Sequence, residues 1–289
     1  MVAALKTFSS PSFGPPSGIH ARPRFSVVTP SFNHARFIRR TIDSVLSQRG
    51  DFDLEYLVVD GGSTDGTLAI LQDYEGKLQW VSEADQGQAD AINKGLQRCT
   101  GDIVGWLNSD DLLLPGALER IARTLRENPG VEWVHGRCHI IDENDRHIRR
   151  PIELYKHLRS RCYSFGALLG GNFISQMTVF WHRRVLSEIG YLDPTLRFAF
   201  DYDLWLRLAQ RSDPGYIQTP QACFRWYESS KSGTSFQQQF AEDTGVAKRY
   251  AGGRWWPMVR KRAMNSAIVG TYSAMAAVRN AMGRRPAAL

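Results

Sequence analysis

Asp110 and Asp111 close an apolar run, Trp106-Leu107-Asn108-Ser109-Asp110-Asp111, and two adjacent carboxylates in that place can do two kinds of chemistry. One can hold a hard divalent cation through oxygen, while the other accepts a hydrogen bond from a ligand hydroxyl. Neighbouring side chains at a strand end point to opposite sides, so the two acids are not expected to share one job. The competing reading is a solvated turn whose acids cap the next helix. Three further stretches offer acids at turns: Asp60-Gly61-Gly62-Ser63-Thr64-Asp65-Gly66-Thr67, Asp85-Gln86-Gly87, and Asp201-Tyr202-Asp203-Leu204-Trp205. Capping competes with chemistry in each of these, and for Asp65 the turn-and-cap reading is preferred.

Each stretch falls where a strand should end and a helix begin. Phe25 to Pro30, Leu54 to Val59, Leu78 to Val81 and Asp102 to Leu107 read as strands. Helical spacing follows the first in Phe37, Ile38, Ile42, Val45 and Leu46, and follows the last in Leu118, Ile121 and Leu125 after Pro115. This alternation predicts an α/β fold, a mostly parallel sheet with helices on both faces and ligands at the carboxyl ends of the strands. Beyond Val131 the alternation weakens to an α+β half with no clear linker. Residues 131–141 read as one or two strands, 152–171 as a loop or short helices, 173–181 as a strand, 183–189 as a helix and 201–210 as another. Residues 1–24, rich in Ser, Pro and Gly, read as a mobile tail, and residues 25–250 as one domain. Residues 251–289 combine Arg254-Trp255-Trp256-Pro257, Arg260-Lys261-Arg262 and a stripe of Met264, Ile268, Tyr272, Met275, Val278 and Met282. They predict a basic amphipathic helix that meets an anionic membrane surface, packs back on the domain or joins a second subunit.

The net charge of +7 points to an anionic partner without choosing among phosphate, membrane and nucleic acid. Dispersed basic residues and the lack of a recognised module argue against nucleic acid. Cys99, Cys138, Cys162 and Cys223 form no CxxC pair, so neither a zinc site nor a disulfide framework is indicated. With no signal peptide or run long enough to span a bilayer, a cytoplasmic protein, peripheral to the inner membrane face at most, is the expectation. His34, His135, His139, His147, His157 and His182 show no metal-ligand spacing and read as structural or exposed. Oligomeric state leaves no mark in the sequence.

Four stretches, in order and on the predicted strand ends, resemble the family 2 glycosyltransferases of the GT-A fold. They are Val27-Val28-Thr29-Pro30-Ser31-Phe32-Asn33, Asp60 to Thr67, Asn108-Ser109-Asp110-Asp111, and Gly190-Tyr191-Leu192-Asp193 leading to Asp201-Tyr202-Asp203-Leu204-Trp205. The resemblance covers roughly residues 25–230. It implies transfer of one sugar from a nucleoside diphosphate sugar to a hydroxyl on a saccharide or lipid-linked saccharide, with inversion. It also implies a nucleotide-binding half (25–130) and an acceptor half (131–250).

The resemblance assigns Asp60 to the base, with Pro30, Ser31, Asn33 and Gly61 lining the donor pocket and Asp85 and Gln86 near the donor sugar. Asp110 and Asp111 resemble the DxD-type element, the first acid near the ribose and the second on the metal. All-oxygen ligation without His or Cys makes that metal magnesium or manganese. Inversion requires a base opposite the nucleotide; Asp201 matches the family's catalytic Asp, with Asp203 as the alternative. Two departures stand out: Phe200 where relatives often carry Glu, and Tyr227 where many carry His. Arg225 or Lys231 could supply the positive charge that His does not. Gln221 lies one residue too far from Arg225-Trp226 for the processive QxxRW motif, so a single addition per binding event is expected. The rival readings are a nucleotide-sugar-binding protein of the same fold without catalysis, which the departures favour, and a sugar nucleotidyltransferase. The nucleotidyltransferase would need a Gly-rich basic loop after the first strand, which Thr29-Pro30-Ser31-Phe32-Asn33-His34 is not.

Overall fold

The computed structural model describes residues 22–228, 230 and 236–261. Strands β1 (Arg24–Ser31), β2 (Asp53–Asp60), β3 (Gln79–Ser82) and β4 (Ile103–Trp106) are parallel, as the alternation predicts. The nine-stranded sheet runs β3-β2-β1-β4-β8-β6-β9-β5, with β7 pairing on β6. Here β5 is Leu112–Leu113, β6 Trp133–Ile141, β7 His147–Ile148, β8 Phe180–His182 and β9 Gly215–Arg225. Antiparallel β8 joins β4 to β6, so the two halves share one continuous sheet.

Alternation along β1 explains how that sheet is buried on both faces. Val27 enters one apolar layer with Ile38, Ile42 and Val45 of α1 (Ile38–Leu46) and with α4 (Ala117–Glu127). Val28 enters the opposite layer with Ile92 and Leu96 of α3 (Gln88–Arg98) and with Trp106, Trp181 and Trp205. Helix α4 forms because Leu118, Ile121, Ala122 and Leu125 repeat at helical spacing, and all four are buried.

Side-chain hydrogen bonds overrule the apolar pattern over residues 173–181, expected as one strand. Thr178 Oγ1 donates to the Ser175 carbonyl at 2.7 Å and Gln176 Nε2 to the Trp106 carbonyl at 2.7 Å. These contacts fix a 3₁₀ turn over Gln176–Thr178 and leave only Phe180–His182 as strand. The stretch 152–171 is more helical than expected: α5 spans Arg150–Arg161 and α6 spans Phe165–Leu169, the latter capped by Ser164 Oγ on Ala167 N. Strand β9 goes unannounced because its middle carries Gln218, Thr219 and Pro220, and its pairing with β6 slips around Arg137. Helices α2 (Thr67–Gln72), α7 (Leu186–Ile189), α8 (Phe200–Ala209) and α9 (Phe236–Tyr250) complete the named elements. A final helical turn runs over residues 255–261. The Ser/Pro-rich tail to residue 21, Lys231 and the Met264–Met282 stripe lie outside the described residues. Among the described residues no helix is long and apolar enough to cross a membrane.

Candidate active site

Strand register builds the site. Ser31 pairs with Asp60 and Asp60 with Ser82, so β1, β2 and β3 end on one line, while Val28 of β1 pairs with Trp106, the last residue of β4. The loops that carry Asn33, Gly61, Asp85, Gln86 and Asp110 leave this edge. Asp60 is wholly buried, and its carboxylate accepts from Gly62 N (3.1 Å), Ser63 N (2.8 Å), Ser63 Oγ (2.5 Å) and Ser82 Oγ (2.7 Å). Asp60 therefore fixes the turn after β2 first. Asn33 adopts φ 55°, donates its N–H to Ser63 Oγ and accepts from Thr64 N, which stitches the β1 loop to the β2 loop. Asp65 bonds Thr67 N, Thr67 Oγ1 and Ala35 N, as its preferred capping reading requires. Pro30 and Ser31 are buried, and Ser31 Oγ has no partner among the described residues.

Gly61 is required by a close approach: a Cβ there would collide with Asp85 Oδ2. Asp85 also accepts from Gly87 N at 2.8 Å, so it caps the turn before α3 while its other oxygen faces the β2 loop. Gln86 is exposed beside it. Phe32, 59% exposed, stands against Gly61 and offers a bare aromatic ring beside the β2 loop.

The two adjacent acids occupy different surroundings. Asp111 is wholly buried, its Oδ1 receiving Arg225 N at 2.9 Å and its Oδ2 receiving Asn108 Nδ2 at 3.2 Å. Burial, and then the neighbouring Asp110 carboxylate, push it well above the usual carboxylate range, against the pull of Arg225 and Asn108. Asp110 is only part-buried, with Tyr227 Oη donating to its Oδ2 at 3.0 Å. Two adjacent carboxylates, one destabilised in its charged form, are a donor set that an oxygen-seeking dication relieves, and Asp110 is the one a ligand can reach. Asn108 is held by Gln88 Nε2 and by Gln176 Oε1, and Thr41 Oγ1 reaches the Ser109 and Asp111 carbonyls.

Arg225 departs from its expected place at the donor. Its side chain is fully buried, Nε donating to the Asp110 carbonyl at 2.8 Å and Nη1 to the Asp142 carbonyl at 2.8 Å and to Asp145 Oδ1 at 2.6 Å. The guanidinium also lies over Phe37, 4.8 Å from its ring centre. It braces the acid loop from beneath, because planar, fixed N–H groups match several carbonyls at once.

Asp201 lies in the first turn of α8, part-buried, with Lys156 close enough for their charges to interact. Lys156 of α5 donates to Ser175 Oγ at 3.3 Å, and burial lowers its pKa. Asp203, the alternative base, is buried and committed to Arg207 Nε at 2.9 Å and Tyr250 Oη at 2.8 Å; its carboxylate joins α8 to α9. Phe200 packs against Trp106. A carboxylate reaches this helix start from α9: Glu242 accepts from Arg197 N (2.9 Å), Phe198 N (2.5 Å) and Ala199 N (2.6 Å).

A model described as glycosyl transferase family 2 matches residues 26–189, more than half of the chain. The chain belongs to that family. An uncharacterised glycosyltransferase from Nostoc is 35% identical over 177 residues, 59% of this chain and 54% of the relative, so the match spans about half of that protein. Of solved folds, Staphylococcus aureus TarS 1–349 in complex with UDP-GlcNAc superposes with TM-score 0.61 at 20% identity, covering 79% of this chain and 67% of that one. The mannosyltransferase PcManGT from Pyrobaculum calidifontis, in complex with GDP-Man and Mn2+, gives TM-score 0.60 at 20% identity, covering 89% and 81%. The fold is therefore of GT-A type. Within family 2 the matched stretch holds Asp60, Asp85, Asp110 and Asp111, while Asp201 lies just beyond it.

Proposed function

We propose that the protein transfers one sugar from a nucleoside diphosphate sugar to a hydroxyl of a saccharide or lipid-linked saccharide, with inversion at the anomeric carbon. The observation that carries this reading is the common edge formed by Ser31, Asp60, Ser82 and the acid loop after Trp106. The helix of Asp201 docks on the same strand through the Trp106–Trp205 stack. The nucleotide base enters between Phe32 and the Asp60 turn, and Ser31 Oγ supplies an unused polar atom there. Of the two acids, Asp110 takes the ligand role; Asp111, expected on the metal, is wholly buried and held by Arg225 N and Asn108, and serves as the support of the loop instead.

Magnesium or manganese held at Asp110 would neutralise charge on the departing diphosphate. Asp201 accepts the proton of the acceptor hydroxyl as its oxygen bonds to the anomeric carbon and the bond to the diphosphate oxygen breaks. Glu242 holds the backbone that aims Asp201, and Lys156 lies within charge-interaction range of that carboxylate. An anionic membrane face suits the acceptor side. Leu154 and Leu158 of α5 and Trp255 and Trp256 are exposed and flanked by Arg150, Arg161, Arg254 and Arg260.

The test is a thermal-shift and calorimetric screen of UDP, GDP, dTDP and CDP with and without manganese, on wild type and Asp110→Asn. One nucleotide binding in a metal-dependent way, and losing that dependence in the variant, is the expected result. Failure of every nucleotide to bind would overturn the reading.

A further inference from the structure

His139 and His147 face each other across the β6–β7 hairpin, ring centres 4.5 Å apart. The hairpin explains the meeting: Ile141 pairs with His147 and Ile140 with Ile148, which puts His139 and His147 on a diagonal of one face. Glu153 reaches the same point from α5. Its Oε1 accepts from Ile140 N and from His147 Nε2, each at 2.5 Å, and its Oε2 lies 3.2 Å from His139 Nδ1. The three ligand atoms all lie within 4.8 Å of one another. Ligands about 2.0–2.2 Å from a tetrahedral zinc ion are themselves roughly 3.4 Å apart, so small rotations would close the set.

We propose that His139, His147 and Glu153 form a second metal site, for a zinc-class dication, separate from the carboxylate site at Asp110. Two imidazoles and one carboxylate select zinc, cobalt or nickel, whereas the all-oxygen acid loop selects magnesium or manganese. Glu153 is anchored by the Ile140 N–H, which is the kind of outer bond that fixes a ligating carboxylate. The imidazoles are about one-third exposed, 31% and 32%, so water completes the coordination from the open side. Each neutral imidazole need only carry its N–H on the ring nitrogen turned away from the ion.

An ion here would pin α5 to the hairpin. The hairpin tip holds Asp142 and Asp145, both on Arg225, and Arg225 holds the Asp110 carbonyl. The second site therefore braces the first through Arg225.

Tag-free full-length protein is titrated with cobalt and with zinc, following visible d–d absorption and calorimetry, in wild type, His147→Ala, His139→Ala and Asp110→Asn. The expected result is one cobalt ion bound at the hairpin with tetrahedral or five-coordinate absorption, displaced by zinc and not by manganese, and unchanged in Asp110→Asn. Either histidine variant should lose affinity by roughly a hundredfold or more and lose the zinc-induced rise in melting temperature. Equal zinc affinity in His147→Ala and wild type overturns the proposal. Loss of the cobalt spectrum in Asp110→Asn overturns it too, since the ion would then sit on the acid loop.

Discussion

Trp106 and Trp205 stack with ring centres 5.4 Å apart and planes 15° from parallel, and this contact ties the strand that delivers Asp110 to the helix that carries Asp201. Trp205 also stacks on Trp133 and meets Trp181 edge-on, so its removal opens a hole among three rings. Trp205→Ala should cost about 3–5 kcal/mol of stability by urea unfolding. Trp205→Phe should keep the fold and lower turnover while donor nucleotide binding stays near wild type, because the acceptor-side helix loses its seat and the β1–β3 edge does not.

Asp201 and Asp203 are two residues apart and should separate cleanly. Asp201→Asn should lower turnover roughly 10²–10⁴-fold with little change in melting temperature, since its carboxylate is part-exposed and proposed to act as base. Asp203→Asn strips a buried partner from Arg207 and Tyr250, and should cost about 3 kcal/mol while leaving much of the turnover in folded protein. Kinetics and denaturation on the two variants decide it; the opposite pattern would exchange their roles.

Arg225→Lys distinguishes a buried brace from a surface phosphate ligand. An ammonium cannot replace the guanidinium contacts to the Asp110 carbonyl, the Asp142 carbonyl and Asp145 together. Stability should fall by about 3 kcal/mol, with metal-dependent nucleotide affinity falling alongside as the acid loop loosens. A variant of wild-type stability that binds nucleotide weakly would return Arg225 to the donor.

The first half of the sheet is legible because period-2 and period-3.6 patterns alternate cleanly there, and because its acids follow strands whose register the sheet then enforces. Individual roles were less legible. Asp110 and Asp111 are chemically identical in sequence; their depth of burial and their partners, Arg225 N and Asn108 on Asp111 and Tyr227 on Asp110, tell them apart. Glu242 could not be found, because nothing local marks an α9 carboxylate as the cap of α8. The same holds for His139, His147 and Glu153, which a hairpin and a helix bring together across gaps that match no metal motif. Residues 173–181 depart from expectation for the opposite reason: their apolar pattern is clear, and two polar side chains within it, Gln176 and Thr178, bond backbone carbonyls and fix a turn.

His135 is wholly buried, neither ring nitrogen has a partner among the described residues, and burial, then the Lys156 charge, push its pKa down to about 3. An unfolded histidine protonates near 6.5, so below that pH the unfolded chain binds a proton that the folded one refuses. Its contribution is complete above about pH 6.5 and is lost as pH falls toward 3, by at most ~5 kcal/mol over that range. Asp243 acts in the opposite sense. Burial raises its pKa to about 7, with Lys261 pulling it down and Asp201 and Glu242 pushing it up. Its folded carboxyl holds a proton that the unfolded one has released, so it costs stability as pH rises from about 4 to about 7. The two slopes oppose each other in wild type. Melting temperatures measured from pH 4 to 7 should therefore fall more steeply toward acid in Asp243→Asn than in wild type, and less steeply in His135→Phe. Curves parallel to wild type in both variants would show that neither group carries the linkage.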